Sequence, residues 1–246
     1  MNRTRASILT FFGWAFALAI SQQAQAATVN WATWSYPQTT GLTTGAASGS
    51  TSDVNVTYSG NVQFSTQVGG FVWLPTTTFQ GGTVADAPTN NTEVTLTGGP
   101  GTGTSSITFS QAVTDPVLAI ASLGSPSVMA AFDFNLTGSQ SLAIEAGGPS
   151  FNFGGSTIVL CTAGSNNICG DEGSGVVQFF GTFTTLSWAN PLYEDYYLLT
   201  VGDEGLAPVG TTPLPAALPL FASGLGALGL FGWRRKRKNA SAIATT

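Results

Sequence analysis

Hydrophobic and polar residues alternate in short runs along this chain, and no amphipathic helix longer than a turn or two is visible between its ends. In Val54-Asn55-Val56-Thr57-Tyr58 the apolar side chains share one face. Val94 and Leu96 face one way and Thr95 and Thr97 the other, and Ile107 and Phe109 continue the pattern. A period of two is the signature of half-buried strands. The pattern predicts strands at 29–36, 54–59, 62–67, 71–74, 93–97, 106–109, 117–122 and 127–135. It predicts further strands at 142–146, 157–161, 175–188 (broken near Gly181) and 196–201. Ser59-Gly60-Asn61 reads as a hairpin turn, while 37–53 and 99–105 read as loops rich in Gly, Ser and Thr. Many short strands without crossover helices predict an all-β fold over 27–204. Its expected form is an antiparallel β-sandwich of jelly-roll type, with no internal repeat.

The ends follow different patterns. Arg3 and Arg5 precede a mostly apolar run at 8–20, and Ala24-Gln25-Ala26 fits a small-x-small cleavage site. Residues 1–26 therefore read as a secretory signal peptide, with an uncleaved anchor as the alternative. Near the other end, 214–233 is twenty residues without a charge. As a helix it would be about 30 Å long, enough to cross a hydrocarbon core. Pro215 and Pro219 delay the start of regular helix, and Gly224, Gly226, Gly229 and Gly232 soften it. Trp233 sits where an interfacial ring belongs, and Arg234, Arg235, Lys236, Arg237 and Lys238 follow as a basic stop. This predicts a linker at 205–212, then a transmembrane helix and basic tail within 213–238. A buried core helix is the alternative. The two ends together predict export across an inner membrane, with transient anchoring before release.

Thr212-Pro213-Leu214-Pro215-Ala216-Ala217-Leu218-Pro219-Leu220, then a Gly-rich apolar stretch, then Trp233-Arg234-Arg235-Lys236-Arg237-Lys238, resembles the PEP-CTERM sorting signals, in particular the V-P-L-P-A variant. Thr212 stands where that variant has Val. The resemblance covers about the last thirty residues. It implies an exosortase-type processing enzyme as partner and a cut near the motif Pro213, Leu214, Pro215 and Ala216. It also implies a destination at the cell surface or in an extracellular, exopolysaccharide-associated matrix. Segments 106–110, 113–124, 175–183 and 186–188 also resemble bodies found ahead of such tails, which bears on fold only.

Charge narrows the chemistry. All seven basic residues lie near the ends, all twelve acidic ones lie between Asp53 and Glu204, and there is no histidine. The body thus has no cation to neutralise phosphates, which excludes a nucleic-acid partner. It has no histidine or lysine to serve as a base, and no strand-to-helix Gly-rich nucleotide loop. Paired carboxylates could in principle serve a glycosidase, but nothing in the sequence sets two of them at the required separation. No catalytic residue is assigned and the protein is expected not to be an enzyme.

Cys161 and Cys169 are the only cysteines, and in an oxidising compartment they are expected to pair around a flexible loop. Three acidic doublets, Asp171-Glu172, Glu194-Asp195 and Asp203-Glu204, have no internal counter-charge. They are either solvated or, for Asp171 and Glu172 beside Asn166 and Asn167, a candidate Ca²⁺ site. No other cofactor is expected. Trp31 and Trp34 are three apart, so on one strand they would face opposite ways. Trp31, Trp34 and Tyr196 are the candidate carbohydrate contacts, while Trp73 and Trp188 are expected in the core. The leading expectation is a non-enzymatic exported surface or matrix protein. The second is a carbohydrate-binding module that uses exposed aromatics on an extracellular polysaccharide.

Overall fold

A computed structural model describes residues 26–35, 45–61, 71–89, 93–99, 103–192 and 194–206. The signal-peptide segment up to residue 25, the predicted strand at 62–67 and everything after residue 206 lie outside these residues. The first strands are β1 (Asn30–Trp31), β2 (Thr33–Ser35), β3 (Gly45–Ser50), β4 (Asn55–Gly60), β5 (Val94–Gly98), β6 (Thr104–Thr114) and β7 (Val117–Leu123). They are followed by β8 (Ala130–Phe134), β9 (Ser141–Gly147), β10 (Val159–Leu160), β11 (Asn167–Gly170), β12 (Gly173–Phe180), β13 (Thr182–Ala189) and β14 (Glu194–Asp203). A 3-10 turn at Thr76–Thr78 lies between β4 and β5.

These strands form two antiparallel sheets. Sheet I runs β1-β14-β7-β12-β9, with β5 also paired to β14. Sheet II runs β10-β11-β8-β13-β6-β4-β3-β2. The all-β, two-sheet antiparallel expectation therefore holds, but its finer form needs correcting. A jelly roll divides eight strands between two sheets, whereas here the sheets have six and eight strands.

The C-terminal transmembrane helix is a second correction. Among the described residues no helix is long and apolar enough to cross a membrane. The sorting motif Pro213, Leu214, Pro215 and Ala216 and the basic stop Arg234, Arg235, Lys236, Arg237 and Lys238 lie outside the described residues. The expectations hung on that helix, namely transient inner-membrane anchoring, processing by an exosortase-type enzyme, and passage to a surface or exopolysaccharide matrix, have no support among the described residues.

The sheets close on an apolar interior. Phe132 and Phe134 of β8, Trp188 of β13 and Tyr58 of β4 come from sheet II; Phe179 of β12 and Tyr197 of β14 come from sheet I. Their rings interlock across the gap. Phe132 meets Tyr197 at 4.9 Å between centroids, and Phe134 meets Phe179 at 4.8 Å. Edge-to-face pairs of this kind add to the area they bury.

Sheet I is buried on its other face as well, which is why every residue of Val117-Leu118-Ala119-Ile120-Ala121-Ser122-Leu123 is buried. A covering segment brings Val72, Trp73, Phe79 and Val84 onto Val117, Ala119, Ala121, Val176 and Leu198. Residues 71–74, predicted as a strand, belong to this cover, as a turn leading into the 3-10 turn after Pro75. Trp73 and Trp188 are buried as expected.

Cys161 and Cys169 form a disulfide. It staples the β10–β11 hairpin at the edge of sheet II, where Val159 pairs with Cys169.

Replacing Phe132 by Ala is expected to remove about 3–5 kcal/mol of unfolding free energy in a denaturant titration, because it opens the aromatic seam at its centre. Replacing both cysteines by Ser is expected to cost about 2.5 kcal/mol by loop-closure entropy, read as a lower denaturation midpoint with an unchanged spectrum at rest.

Candidate functional site

The body must hold its carboxylates without a cation, and N–H and O–H donors do so. Asp86 Oδ1 accepts the Val29 amide at 2.8 Å, Asp171 Oδ1 the Ser127 amide at 2.8 Å, and Asp115 Oδ1 the Gly181 amide at 2.6 Å. Glu145 Oε2 accepts the Thr83 amide at 3.0 Å, and Asp203 Oδ1 the Gly205 amide at 3.0 Å. Glu172 Oε2 accepts the Ser122 hydroxyl at 2.6 Å. Most of these bonds close over long sequence separations and so tie one loop, turn or strand to another distant in the chain. Such charge-assisted bonds are about twice as strong as neutral ones.

Three carboxylates gather at one end of the covered face of sheet I. Asp115 occupies the bend between β6 and β7 with φ 47°, Glu145 lies on β9, and Glu204 follows β14. Glu145 reaches the cover through a β-bulge: Val176 pairs with Ala146 and Val177 with Ile144, which leaves Glu145 as the extra residue. Gly82 (φ 56°) lies so close that a Cβ there would collide with the Glu145 carboxylate.

Gln178 of β12 is the hub of this cluster and is buried. Its Nε2 donates to Glu204 Oε1 at 2.8 Å and points to the Asp115 carbonyl oxygen at 3.5 Å, while its Oε1 accepts the Thr83 hydroxyl. Burial, reinforced by the charges of Asp115 and Glu145, holds the Glu204 carboxyl above the usual carboxylate range, against the opposing hydrogen bond from Gln178. Sequence reading missed this cluster. The available signal was a single polar residue, Gln178, inside the apolar run Val176-Val177-Gln178-Phe179-Phe180.

The sequence-predicted sites are dispersed. Asp171 and Glu172 turn to different partners, Ser127 and Ser122, and among the described residues no group of three or more His, Cys, Asp or Glu could hold a metal ion. The side chains of Glu194 and Asp195 lie outside the description. The carbohydrate expectation is corrected by burial. Trp34 is 3 % exposed, and its Nε1 donates to Thr200 Oγ1 at 3.0 Å. Trp31 is half-buried, with Nε1 donating to the Asp86 carbonyl at 3.2 Å. Tyr196 is half-buried against Phe153 at 5.8 Å. Burial, helped by the charge of Glu93, holds its phenol above the ordinary range. These rings serve the interior and the cover and form no exposed stacking row.

What sheet II shows to solvent is hydroxyl. Ser35, Ser48, Thr57, Thr108 and Thr185 stand in register across five neighbouring strands. All five are exposed. A parallel row runs through Ser59, Ser106 and Ser187. The same strands turn Val56, Tyr58, Ile107, Phe109 and Leu186 inward, as strict alternation requires. A shallow groove of about 580 Å³ lies at the β2–β4 end of this sheet, its rim set by Ser35, Ser48 and Thr57.

No family model matches this chain, and neither a characterised protein nor a solved structure matches it. The geometry therefore stands alone as the basis for a functional reading.

A raised Glu204 means that its ionised form opposes folding. Its favourable contribution is present at acid pH and is lost as pH rises through the folded-state value. Glu204→Gln keeps an acceptor for Gln178 and removes the charge. At about pH 7.5 it is expected to raise Tm by roughly 1–3 °C, limited by solvent screening, with no gain at about pH 4 in paired thermal melts.

Proposed function

We propose that the described body is a non-catalytic structural module, built for an oxidising compartment and presenting hydroxyl groups instead of charge along the outer rows of sheet II. One observation carries this reading: Asp86, Asp115, Glu145, Asp171 and Asp203 each accept a backbone N–H and thereby fasten a loop. A carboxylate used as a fastener is not poised as a general base or nucleophile toward an external substrate, which needs an open line to that substrate's reacting atom. The absence of Lys, Arg and His between residues 27 and 212 removes the partners that would tune or orient such a group.

Two further features support the module reading. The Cys161–Cys169 disulfide suits an oxidising environment. The exposed Ser and Thr rows of sheet II give a hydrogen-bonding surface without the charge most soluble domains use. The tail residues that resemble sorting signals lie outside the described residues and supply no part of this reading.

The test is a turnover screen of the purified chain against glycoside, ester and peptide substrates. Product formation is expected to stay at the buffer rate in every case. Multiple turnover that vanishes when a single acidic residue is replaced by its amide would overturn the proposal.

A further inference from the structure

Asp115-Pro116 is the only Asp–Pro pair in the sequence. The chemistry of such a bond is unusual. The aspartate carboxylate is one methylene from its own main-chain carbonyl, so attack closes a five-membered ring. The leaving group is a proline nitrogen, which accepts a proton more readily than an ordinary amide nitrogen. Holding reactants that close can replace a large part of the barrier with pre-organisation.

The fold places three aids around this bond. The Gly181 amide donates to Asp115 Oδ1 at 2.6 Å, and the Asp115 amide donates to the Gly181 carbonyl at 2.9 Å, so side chain and backbone are both fixed. Gln178 Nε2 points to the Asp115 carbonyl oxygen at 3.5 Å, the oxygen that gathers negative charge when its carbon is attacked. The same Nε2 holds the Glu204 carboxyl at 2.8 Å, which places an acid beside the bend. On the far side, the Phe179 amide donates to the Pro116 carbonyl at 2.9 Å and pins the departing residue.

The geometry points to a single-turnover self-cleavage of the Asp115–Pro116 bond. An Asp115 carboxylate oxygen bonds to the Asp115 carbonyl carbon, and the C–N bond to Pro116 breaks. The electron pair goes to the Pro116 nitrogen, which takes a proton from the Glu204 carboxyl. Asp115 is left as a cyclic anhydride. Water opens it to two carboxyl groups, and solvent returns the proton to Glu204. The net change is one peptide bond and one water converted into two chain ends. The body contains no lysine, so no side-chain amine there competes with water for the anhydride.

This goes beyond the structural-module reading without contradicting it, since a one-time intramolecular cut is not turnover of a substrate. The two pieces stay together after the cut. β6 remains paired with β13, and β1 and β5 with β14. The disulfide lies wholly within the second piece and does not bridge the cut.

The ionisable groups acting on Glu204 are Asp115 and Glu145, both acidic. Acid pH therefore favours the protonated Glu204 that the step needs. The experiment follows the full-length chain by intact mass and denaturing gel at about pH 5 and about pH 8, folded and unfolded in urea. The folded chain at the acid pH is expected to yield two fragments with a new N-terminus at Pro116, at least tenfold faster than the unfolded chain, while still eluting as one particle under native conditions. Asp115→Asn, which keeps an acceptor for the Gly181 amide, is expected to abolish the cut with its melting temperature retained. Glu204→Gln is expected to slow the cut and flatten its rise toward acid. A folded chain that stays intact, or that breaks no faster than the unfolded one, would overturn the inference. So would an acid profile unchanged by Glu204→Gln.

Discussion

The governing constraint on this body is that its carboxylates have no cation to answer them. A buried or crowded carboxylate is costly unless it is paired or hydrogen-bonded. With no Lys, Arg or His between residues 27 and 212, the available donors are backbone amides, hydroxyls and side-chain amides. The acids accordingly sit where amides are left over, at bends and strand ends. Asp115 takes the amide of Gly181, where β12 turns into β13, and Asp171 takes that of Ser127 before β8. Acidity and loop closure are thus the same feature here. Asp203 shows the limit of the device: it is fully buried, Oδ1 takes the Gly205 amide, and Oδ2 has no partner among the described residues.

The two sheets answer a different need. Aromatic rings from both sheets meet in one seam, and that seam can form only if strands distant in sequence are neighbours in space. Phe134 of β8 touches Phe179 of β12, and Phe132 touches Tyr197 of β14. Several connections, including those into β7, β8, β12, β13 and β14, carry the chain from one sheet to the other. Such crossings make the pairings long-range, and they put the bends that the carboxylates fasten at the ends of the sandwich. Edge strand β9 is blunted in the same economy: its extra residue Glu145 is a charge turned toward the cover, a combination that opposes edge-to-edge pairing.

Most of the strand pattern was legible because alternation is a direct consequence of one buried face. β4, β6 and β13 could be read this way, since hydroxyls point out where Val, Ile, Phe or Leu point in. β3 was not legible. Gly45-Ala46-Ala47-Ser48-Gly49-Ser50 has the composition of a loop, and its strand form is imposed by β2 and β4 on either side. Its small residues are required there, for a Cβ on Gly49 would lie 2.8 Å from the Thr33 carbonyl oxygen and 3.0 Å from the Trp34 ring. The inference about Trp31 and Trp34 failed because it assumed one continuous strand. The chain leaves sheet I at Ala32 and joins sheet II at Thr33, so residues three apart belong to different sheets and parity says nothing about their exposure. The acidic cluster around Gln178 was illegible as a whole, since its members come from four separate stretches of chain.

The asymmetry between the two outer faces decides where chemistry can occur. Sheet II is open, flat in chemical character and covered with hydroxyls, none of which is paired with a base or an acid in register. Sheet I is roofed by the segment carrying Trp73 and Phe79, and roofing excludes water from the strands beneath. At the end of that roof polar groups are half-desolvated. There a carboxyl can be lifted from its ordinary range and a side-chain amide can be held at a fixed point, as Glu204 and Gln178 are. A body without cations therefore concentrates its perturbed groups at one boundary between covered and open sheet, and the Asp115–Pro116 bond lies on that boundary. The same arrangement on the open sheet would be solvated on every side and inert.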